Sequence, residues 1–405
     1  MLKVEEARER ILAKVAPLEA LELPVTEAHG CVLAEVVTAP EDLPSFASSA
    51  MDGFALRAED TLRASTNPVS LTIVGEAAAG KPFPGRVAFG EAARIFTGAA
   101  IPEGADAIVK QEDVAVVGSS LAIGKPASPG EHIRPSGEDV KRGETVFGEG
   151  QRLRGMDVGV LAALGRQRVS VRPRPRVVVM STGDELKEPG QPLLPGEIRD
   201  SNSFAIRGMA RECGATPSAG GIVRDDPNAL REKIQAYLPQ ADAFIVSGGV
   251  SVGDHDHVRS VLGQLGEVDF WQVAVKPGKP LAFGFIEGRP FFGLPGNPVS
   301  ATVTFELFVR PALMRMCGRR TLFRPEVEAR FEDTIRQAPG RETYLRARAW
   351  RDGEGWHARL AGGQGSNLVT SVAKANAFAV IPADRDALTP GDVIRLILLE
   401  PLEGW

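Results

Sequence analysis

Hydrophobic and polar positions follow two different periods along the chain, and the pattern changes near Arg176. Before that residue, apolar side chains recur at helical spacing over 4–15 and 153–164, and short strands with glycine and proline turns fill 69–148. After it, short apolar runs alternate with helical patterns as far as residue 316, which predicts a mostly parallel sheet with helices on both faces. From residue 325 the pattern predicts short strands again, as in a small barrel or sandwich.

The predicted elements of the central region can be placed individually. Strands are expected at Val177–Met180, Ser218–Val223, Ala243–Val246 and Val268–Val273, followed by a hairpin of 281–286 with 290–294. Helices are expected near 202–213, 227–238, 257–265 and 299–316. In the first part of the chain we expect a strand at Cys31–Val37. Residues 40–55 are predicted to form an irregular but packed loop.

A glycine-rich segment, 247–253, follows the apolar run 243–246 and precedes a predicted helix. Backbone N–H groups of such a turn can converge on an anion at the start of the helix. The carboxylates that follow, Asp254 and Asp256, suggest a divalent cation beside the charge of that anion. The alternative is an ordinary glycine-rich turn with Asp256 as a helix N-cap. The segment alone does not decide between the two.

Other loops with unusual polar residues also follow predicted strands, and ligands of such sheets bind outside the carboxyl ends of the strands. Each loop has a structural alternative, because its polar residues can cap turns or helices, or lie on a solvated surface. Because these loops are all expected at one edge of the sheet, their polar residues together favour a site for a polyanion and a divalent metal. The loops are Ser181-Thr182-Gly183-Asp184-Glu185-Leu186, Arg224-Asp225-Asp226, Lys276-Pro277-Gly278-Lys279-Pro280 and Leu294-Pro295-Gly296-Asn297-Pro298-Val299-Ser300.

Composition narrows the class of protein. The chain has 405 residues, is 43% hydrophobic and carries a net charge of −5, which predicts several folded domains and argues against a general nucleic-acid binder. Three cysteines far apart predict neither a disulfide framework nor a zinc cluster, and they suit a reducing compartment. No apolar segment approaches the length of a signal core or a membrane span, so a cytoplasmic protein is expected. The arginine-rich segment 166–176 is more typical of a domain boundary than of a nucleic-acid-binding site.

Motifs spread over the whole chain resemble the MoeA family of molybdopterin molybdenumtransferases, to which the E domain of gephyrin also belongs. They stand in the family's order, which makes the resemblance specific. The motifs are Met51-Asp52-Gly53-Phe54-Ala55, Arg94-Ile95-Phe96-Thr97-Gly98-Ala99, Ser181–Leu186, Ser247–Gly253, Lys276–Pro280, Pro295–Ser300 and Gln364-Gly365-Ser366-Asn367-Leu368.

The resemblance implies four domains in an elongated homodimer. They comprise an N-terminal linker and dimer domain (20–44 and 141–174), a β-rich inserted domain (45–140), an α/β molybdopterin-binding domain (1–19 and 175–323) and a C-terminal β-barrel (324–405). In this arrangement the α/β domain of one subunit faces the N-terminal domains of the other. Asp52, Thr97 and Asp139 would then close the active site from the partner chain.

The reaction implied by the family takes adenylylated molybdopterin and molybdate, inserts the metal between the dithiolene sulfurs and releases AMP. Lys276 and Lys279 would hold an oxyanion, and Mg²⁺ on Glu185 and Asp256 would neutralise charge during cleavage of the phosphoanhydride. Asp225 and Asp52 are candidate proton donors for removal of molybdate oxygens. Alanine at Asp256 is expected to abolish magnesium-dependent AMP release. The cradle implied for the substrate comprises Ser181, Thr182, Gly183, Asp184, Ser247, Gly248, Gly249, Ser251, Gly253, Pro295, Gly296, Asn297, Pro298 and Ser300.

Some features depart from the family or leave alternatives open. Phe54 stands where tyrosine is frequent, and His257 replaces an expected aromatic residue, so that it is a candidate metal ligand or a helix-start residue. The alternatives for the function are molybdopterin adenylyltransferase chemistry, a nucleotide pyrophosphatase of the same superfold, and a non-catalytic scaffold. An adenylyltransferase that supplies the substrate is an expected partner, and the sequence does not distinguish molybdate from tungstate.

Overall fold

The computed structural model describes residues 1–249 and 265–400. Within these residues no helix is both long enough and apolar enough to cross a membrane. The helices are α1 (Val4–Lys14), α2 (Gly155–Ala163), α3 (Asn202–Glu212), α4 (Pro227–Tyr237), α5 (Pro298–Thr304), α6 (Arg310–Met316) and α7 (Val369–Ala373), with a π-helical turn at Phe305–Val309. Short 3₁₀ turns lie at Val25–Glu27, Ala58–Ser65, Gln111–Asp113 and Leu238–Gln240.

The strands fall into three stretches of the chain. The first comprises β1 (Leu21–Pro24), β2 (Val32–Leu33), β3 (Val37–Thr38), β4 (Ser48–Ser49), β5 (Gly53–Leu56), β6 (Val69–Ala77), β7 (Glu91–Ile95), β8 (Ala107–Lys110), β9 (Val114–Val117), β10 (Ser120–Ile123), β11 (Ile133–Arg134) and β12 (Thr145–Phe147). The second comprises β13 (Arg168–Arg172), β14 (Arg176–Thr182), β15 (Leu186–Lys187), β16 (Ile198–Arg199), β17 (Thr216–Val223), β18 (Ala243–Ser247), β19 (Gly266–Gln272), β20 (Val275–Lys276), β21 (Pro280–Ile286) and β22 (Arg289–Leu294). The third comprises β23 (Glu326–Phe331), β24 (Ile335–Arg336), β25 (Glu342–Asp352), β26 (Gly355–Leu360), β27 (Ala377–Ile381), β28 (Ala387–Leu388) and β29 (Val393–Leu398).

The chain forms two compact units. One comprises Met1–Glu35, Gly150–Val158 and Arg168–Trp405, and the other comprises Val36–Glu149 and Gly159–Gln167. The first unit holds a six-stranded sheet in the order β17-β14-β18-β22-β21-β19. β14, β17, β18 and β22 are parallel to one another, and β21 is antiparallel to both of its neighbours. The predicted mostly parallel sheet is therefore confirmed, whereas the four-domain division stays a prediction.

Apolar side chains cover both faces of this sheet because successive residues of a strand point to opposite sides. On β14, Val177 and Val179 join one core, which also contains Ile11 of α1 and Ile206 of α3. Val178 belongs to a second core with residues of α4. The alternation shows that the helices lie on both faces, as the apolar runs predicted.

The C-terminal strands of the first unit close into a barrel. The order β25-β26-β23-β29-β27 returns to β25, so five strands form a complete ring. Leu345 and Ala347 of β25 point into the barrel core, whereas Tyr344, which precedes Leu345 and lies on the opposite face of the strand, joins the core of the central sheet. The barrel is thus packed onto the α/β region through the outer face of β25.

The second unit is built on a six-stranded sheet in the order β8-β5-β7-β6-β10-β9. β5 is paired on both sides, with β7 and β8, so the prediction of an irregular loop over 40–55 is wrong for its last part. A glycine at its start is required because a Cβ on Gly53 would lie 2.1 Å from the Val109 oxygen. Phe46 and Met51 are exposed rather than packed, whereas Phe54 is buried.

Two further element predictions need correction. The stretch Cys31–Val37 is divided between β2 and β3, which pair with different strands. The single helix expected over 299–316 consists of α5 and α6 joined by the π-helical turn. Residues 257–264 of the predicted helix over 257–265, His257 among them, lie outside the described residues.

The arginines of 166–176 make internal contacts. Arg168 and Arg172 donate side-chain hydrogen bonds to the carbonyl oxygens of Glu22 and Leu18, and Arg174 donates to that of His29. Arg176 forms an ion pair with Asp242. The first three contacts attach the segment 18–29 to β13 and to the residues that lead from it into the central sheet, which accounts for these arginines at a structural junction.

A histidine of the barrel makes stability depend on pH. His357 Nδ1 lies 2.8 Å from Glu332 Oε1, and Nε2 lies 3.2 Å from Asp352 Oδ1. The hydrogen bond to Glu332, with the negative charge of Asp352, raises the pKa of His357 above its ordinary 6.5. Its stabilising contribution is therefore fully present below pH 6.5 and is lost as pH rises through the folded-state pKa.

We expect His357→Gln to remove one pH-dependent step from the melting temperature between about pH 5.5 and 8.5. The measurement is thermal unfolding of both proteins across that range. A matched control is His29→Gln, which changes a histidine without these carboxylate partners. An unchanged pH profile in His357→Gln would contradict the assignment.

Candidate active site

The loops singled out in the sequence lie at one edge of the central sheet. β14, β17, β18 and β22 run in the same direction, so the loops that follow them emerge together. β19 also runs in that direction, because it is antiparallel to β21 and β21 is antiparallel to β22. The lysine loop between β19 and β21 therefore reaches the same edge. We call this edge, with its five loops, the carboxyl rim.

Ser247, the last residue of β18, connects the end of that strand to the start of α3 and to the loop after β22. Its hydroxyl accepts a hydrogen bond from Asn202 Nδ2 at 2.8 Å and donates one to the Pro295 oxygen at 3.2 Å. Asn202 Nδ2 also donates to the Gly296 oxygen at 2.7 Å. The start of α3 and the loop after β22 are thus held against the end of β18.

Gly248 allows close approach of backbone to backbone at the rim, and Gly183 lets the Glu185 carboxylate fold back over its own turn. Gly248 has a φ of +96°, and a Cβ there would lie 2.5 Å from the Thr182 oxygen. A Cβ on Gly183 would lie 2.6 Å from Glu185 Oε2. The hydroxyl of Thr182 is buried between these turns, and none of the described residues forms a hydrogen bond with it. The two turns therefore form a narrow cradle that a side chain would fill.

Exposed carboxylates collect at one corner of the rim. The backbone N–H of Asp225 donates to Asp184 Oδ1 at 3.3 Å, which joins the loops after β14 and β17. The helix cap of α4 is Asp226, whose side chain accepts from the N–H of Asn228. Capping therefore does not account for Asp225. Asp184, Glu185 and Asp225 remain exposed beside the cradle.

The lysine loop is packed against the start of the helical segment after β22. A Cβ on Gly278 would lie 2.6 Å from Thr304 Cγ2 and 3.4 Å from the Ser300 oxygen. Lys276 and Lys279 are half-buried, on either side of this glycine. Two cationic residues are thus held at the carboxyl rim by the packing of their loop, and such side chains can bind an anion.

The helix start at Asn297-Pro298 is only partly as predicted. α5 begins at Pro298 with Asn297 in the cap position, but the Asn297 side chain makes no capping hydrogen bond. The N–H of Val299 donates to the Ser366 oxygen at 3.2 Å, so this donor is not free for a ligand. The helix start instead anchors the barrel loop 363–368.

A buried arginine holds that loop in place. Arg346 is 1% exposed, and its guanidinium donates to Ser371 Oγ and to the carbonyl oxygens of Gly363 and Gly365. Burial lowers its pKa to about 10. All of these acceptors are neutral, so Arg346 adds a positive charge to the side of the barrel from which the loop reaches α5.

Asp52 and Thr97 meet within the second compact unit. Asp52 Oδ1 accepts from the Thr97 N–H at 2.8 Å and from its hydroxyl at 2.7 Å. Both hydrogen bonds lower the pKa of Asp52, which is the opposite of what a proton donor requires. Asp139 is exposed, and its N–H donates to the Leu43 oxygen at 3.0 Å. Closure of an active site by these residues stays a prediction.

Several site predictions fall on residues that the structure does not describe. Ser251, Gly253 and Asp256 lie in the undescribed segment 250–264, so the proposed pairing of Glu185 with Asp256 on one cation is untested. Gly249, the last described residue before this segment, has a φ of +64°. Among the described residues, no group of three or more acidic, histidine or cysteine side chains could hold a metal by itself.

The acidic corner nevertheless suits Mg²⁺. This ion is usually bound by one or two carboxylates, with water and substrate phosphates as its other ligands, rather than by a complete protein cage. Glu185 is folded back over Gly183 beside an anion cradle, and Asp184 lies on the same turn. Glu185 with Asp184 would therefore hold the ion next to a bound phosphate.

Sequence reasoning missed two polar residues that organise the rim. Asp200 is buried and accepts from the hydroxyl of Ser181 at 2.9 Å and from the N–H of Ser203 at 3.1 Å. Asn202 makes the contacts to Ser247 and Gly296 described above. The signal was the polar run Asp200-Ser201-Asn202 directly before a helix, which has the form of an ordinary N-cap.

Comparison with known proteins finds matching family models along almost the whole chain. Three family models match: "MoeA N-terminal region (domain I and II)" over residues 2–165, "Probable molybdopterin binding domain" over 178–315, and "MoeA C-terminal region (domain IV)" over 328–399. The second match contains every loop of the carboxyl rim.

Individual relatives agree with the family models. The chain is 36% identical to molybdopterin molybdenumtransferase of Haemophilus influenzae, with 98% of each chain covered. It is 39% identical to molybdopterin molybdenumtransferase 2 of Mycobacterium tuberculosis, with 98% of this chain and 99% of the relative covered. The solved structure of the molybdopterin biosynthesis MoeA protein from Pyrococcus horikosii is similar with a TM-score of 0.86, at 35% identity and full coverage of both chains.

Proposed function

The chain belongs to the MoeA family, whose members are enzymes of molybdenum cofactor biosynthesis, and from that premise we propose that it inserts molybdate into adenylylated molybdopterin and releases AMP. The observation that carries the proposal is that the start of α3, the end of β18 and the loop after β22 meet at Ser247, at the same edge of the sheet as two lysines and an acidic corner. The rim holds groups that can bind two oxyanions and a cation, and this reaction requires all three.

The rim residues divide between the substrates by their chemistry. Molybdate and phosphate are tetrahedral dianions, so the cradle around Gly248 and the side chains of Lys276 and Lys279 suit either. A magnesium ion on the acidic corner would neutralise the charge that develops on the phosphate leaving group. Glu185 and Asp184 would hold it, and Asp256 is the further ligand implied by the family.

Proton delivery is assigned to Asp225 rather than Asp52. Oxygen atoms leave molybdate as water only if protons reach them. Thr97 stabilises the ionised form of Asp52, so this side chain is a poor donor within its own chain. Asp225 is exposed at the acidic corner with no capping role.

The proposed assembly is a homodimer in the cytoplasm that receives its substrate from a molybdopterin adenylyltransferase. The support is the likeness to the MoeA family over the full chain. Completion of the rim by Asp52, Thr97 and Asp139 of the partner subunit is part of this proposal.

The direct test mixes the purified protein with adenylylated molybdopterin, Mg²⁺ and either molybdate or tungstate. We expect stoichiometric AMP and metal-loaded pterin, and none of either without the divalent cation. Synthesis of adenylylated molybdopterin from ATP and molybdopterin would instead identify an adenylyltransferase. Binding of protein partners without turnover would identify a scaffold.

Lys279→Met tests the anion site within the same assay. Loss of a charged hydrogen bond to an anion corresponds to about 10- to 100-fold in affinity, so the KM for molybdate should rise by that factor. The matched control is Lys125→Met, an exposed lysine of the second unit, which should leave the KM unchanged. Equal KM values for both variants would remove Lys279 from the site.

A further inference from the structure

Asn202, the first residue of α3, has one amide atom that the fold does not use. Its Nδ2 donates to Ser247 Oγ at 2.8 Å and to the Gly296 oxygen at 2.7 Å, so both N–H bonds of the side chain are committed. Within the described residues, Oδ1 accepts no hydrogen bond, and it is not one of the fully buried polar atoms that lack a partner. Asn202 is half-buried, so Oδ1 is an accessible acceptor at the carboxyl rim.

The orientation of this amide is fixed by its neighbours. A backbone carbonyl can only accept, so the group that faces the Gly296 oxygen must be the amide nitrogen rather than Oδ1. Ser247 requires the same orientation, because its hydroxyl proton is donated to the Pro295 oxygen and its own oxygen is left to accept from Asn202. A flipped amide would place Oδ1 against a carbonyl oxygen. Oδ1 is therefore held in place as an acceptor.

Buried groups beside Asn202 support this arrangement. Ser181 and Ser247 pair in register on adjacent strands, and they are 1% and 2% exposed. The Ser181 hydroxyl donates to Asp200 Oδ1 at 2.9 Å, and Asp200 is also buried. The hydroxyl protons of both serines thus point inward, to Asp200 and Pro295. Asn202 is the member of this group that a ligand can reach.

The acceptor lies beside the anion cradle and away from the acidic corner. Gly296, which holds the amide, is exposed, and a Cβ on it would lie 3.7 Å from Gly248 Cα. In the sheet order β17-β14-β18-β22, Asn202 contacts the end of β18 and the loop after β22. The acidic corner, where Asp225 contacts Asp184, joins the loops after β14 and β17. Oδ1 is thus on the side of the cradle opposite to the carboxylates that suit a cation.

The chemistry of an amide oxygen decides which ligand group it can bind. The oxygens of a phosphate ester or of molybdate carry negative charge and accept hydrogen bonds, so they do not pair with Oδ1. An amino group on an aromatic heterocycle donates, and asparagine binds such a group when it recognises adenine. The substrate of the proposed function contains two amino groups of this kind, one on the adenine ring and one on the pterin ring.

We propose that Asn202 is a specificity-determining residue of the carboxyl rim, whose Oδ1 accepts a hydrogen bond from the amino group of a heterocycle of the substrate. This inference rests on the proposed function, because that function supplies a ligand with such rings next to a phosphate. Asn202 selects the heterocycle, whereas the cradle and the lysines bind the oxyanions.

Calorimetric titration of the full-length protein with paired ligands tests the role of this oxygen. AMP is compared with purine riboside 5′-monophosphate, which lacks the amino group. The phosphate of 6-hydroxymethylpterin is compared with that of the corresponding lumazine, in which an oxo group replaces the amino group. Loss of one hydrogen bond that leaves the acceptor unpaired corresponds to about 10-fold in affinity. We expect one pair to show this ratio in the original protein, and that pair identifies the ring.

Variants separate recognition from structural support. Asn202→Ala should bring the affinity ratio of the responsive pair close to one, and Asn202→Leu provides the same comparison if the alanine variant does not fold. The matched control is Ser247→Ala, which removes one partner of the amide but leaves Oδ1 fixed by Gly296. It should weaken both ligands of a pair alike and retain the ratio. A ratio that the Asn202 variant leaves unchanged overturns the proposal.

Further readouts distinguish this inference from the proposed function. Binding of Mg²⁺ in the presence of AMP should be the same in Asn202→Ala as in the original protein, and its loss would instead identify Oδ1 as a metal ligand. Release of AMP from adenylylated molybdopterin, with no discrimination within either ligand pair, contradicts the role of Asn202 alone. Absence of turnover together with absence of binding for all four ligands contradicts both.

Discussion

Glu185→Gln is expected to lower the rate of AMP release by about 100-fold or more at limiting Mg²⁺, with partial recovery at high Mg²⁺. The substitution keeps the size of the side chain and removes its charge. Because the carboxylate lies over Gly183 at the turn after β14, it is placed to bind a cation that also contacts a substrate phosphate. Loss of this ligand weakens the binding of the ion.

The matched control is Glu188→Gln, which changes an exposed glutamate three residues further along the chain, directly after β15. It should retain the magnesium dependence of the original protein. Calorimetric titration of Mg²⁺ in the presence of AMP provides a readout that does not depend on turnover. If Glu185→Gln binds Mg²⁺ as tightly as the original protein, Glu185 is not a ligand.

Gly248→Ala is expected to reduce AMP release by about 100-fold, because the cradle cannot accommodate the added methyl group. A Cβ would collide with the Thr182 oxygen at 2.5 Å and with its hydroxyl at 2.8 Å. The backbone φ of +96° adds conformational strain of about 1–3 kcal/mol. Displacement of the loop after β18 would also break the contact of its N–H with the Leu294 oxygen.

Gly391→Ala is a close control for the strain alone. Gly391 has a φ of +93°, and a Cβ there would meet no atom within 4 Å. It should lower the melting temperature through strain but leave turnover unchanged. Turnover in Gly248→Ala equal to that in Gly391→Ala would show that close approach at the cradle is unimportant for activity.

The sequence predicted the structure best where apolar residues form uninterrupted runs. The apolar runs at 177–180 and 243–246 are buried on both faces, and this burial leaves few alternatives to a parallel strand. The strand directions then required the following loops to share an edge. The candidate residues of the carboxyl rim could therefore be grouped before any contact between them was known.

Prediction was wrong where short segments obtain their conformation from distant neighbours. Gly53–Leu56 is too short to show a clear period, and its place in the sheet is decided by β7 and β8. The role of Asp52 as a proton donor stays a prediction from the family resemblance, and the sequence could not show that two hydrogen bonds from Thr97 favour its ionised form. β7, β8 and Thr97 are all distant in sequence from residues 52–56, so no local pattern could predict these contacts.

By itself the sequence determined the order of the elements, the edge at which polar loops gather, and the family to which their motifs belong, because hydrophobic period and motif spacing are local properties. Only the tertiary structure decided which atoms meet: Asn202 with Ser247, Arg346 with the barrel loop, and the arginines around Gly30. Those contacts join residues that are 17 to 144 positions apart. They depend on how strands and helices pack, and packing is a property of the whole fold.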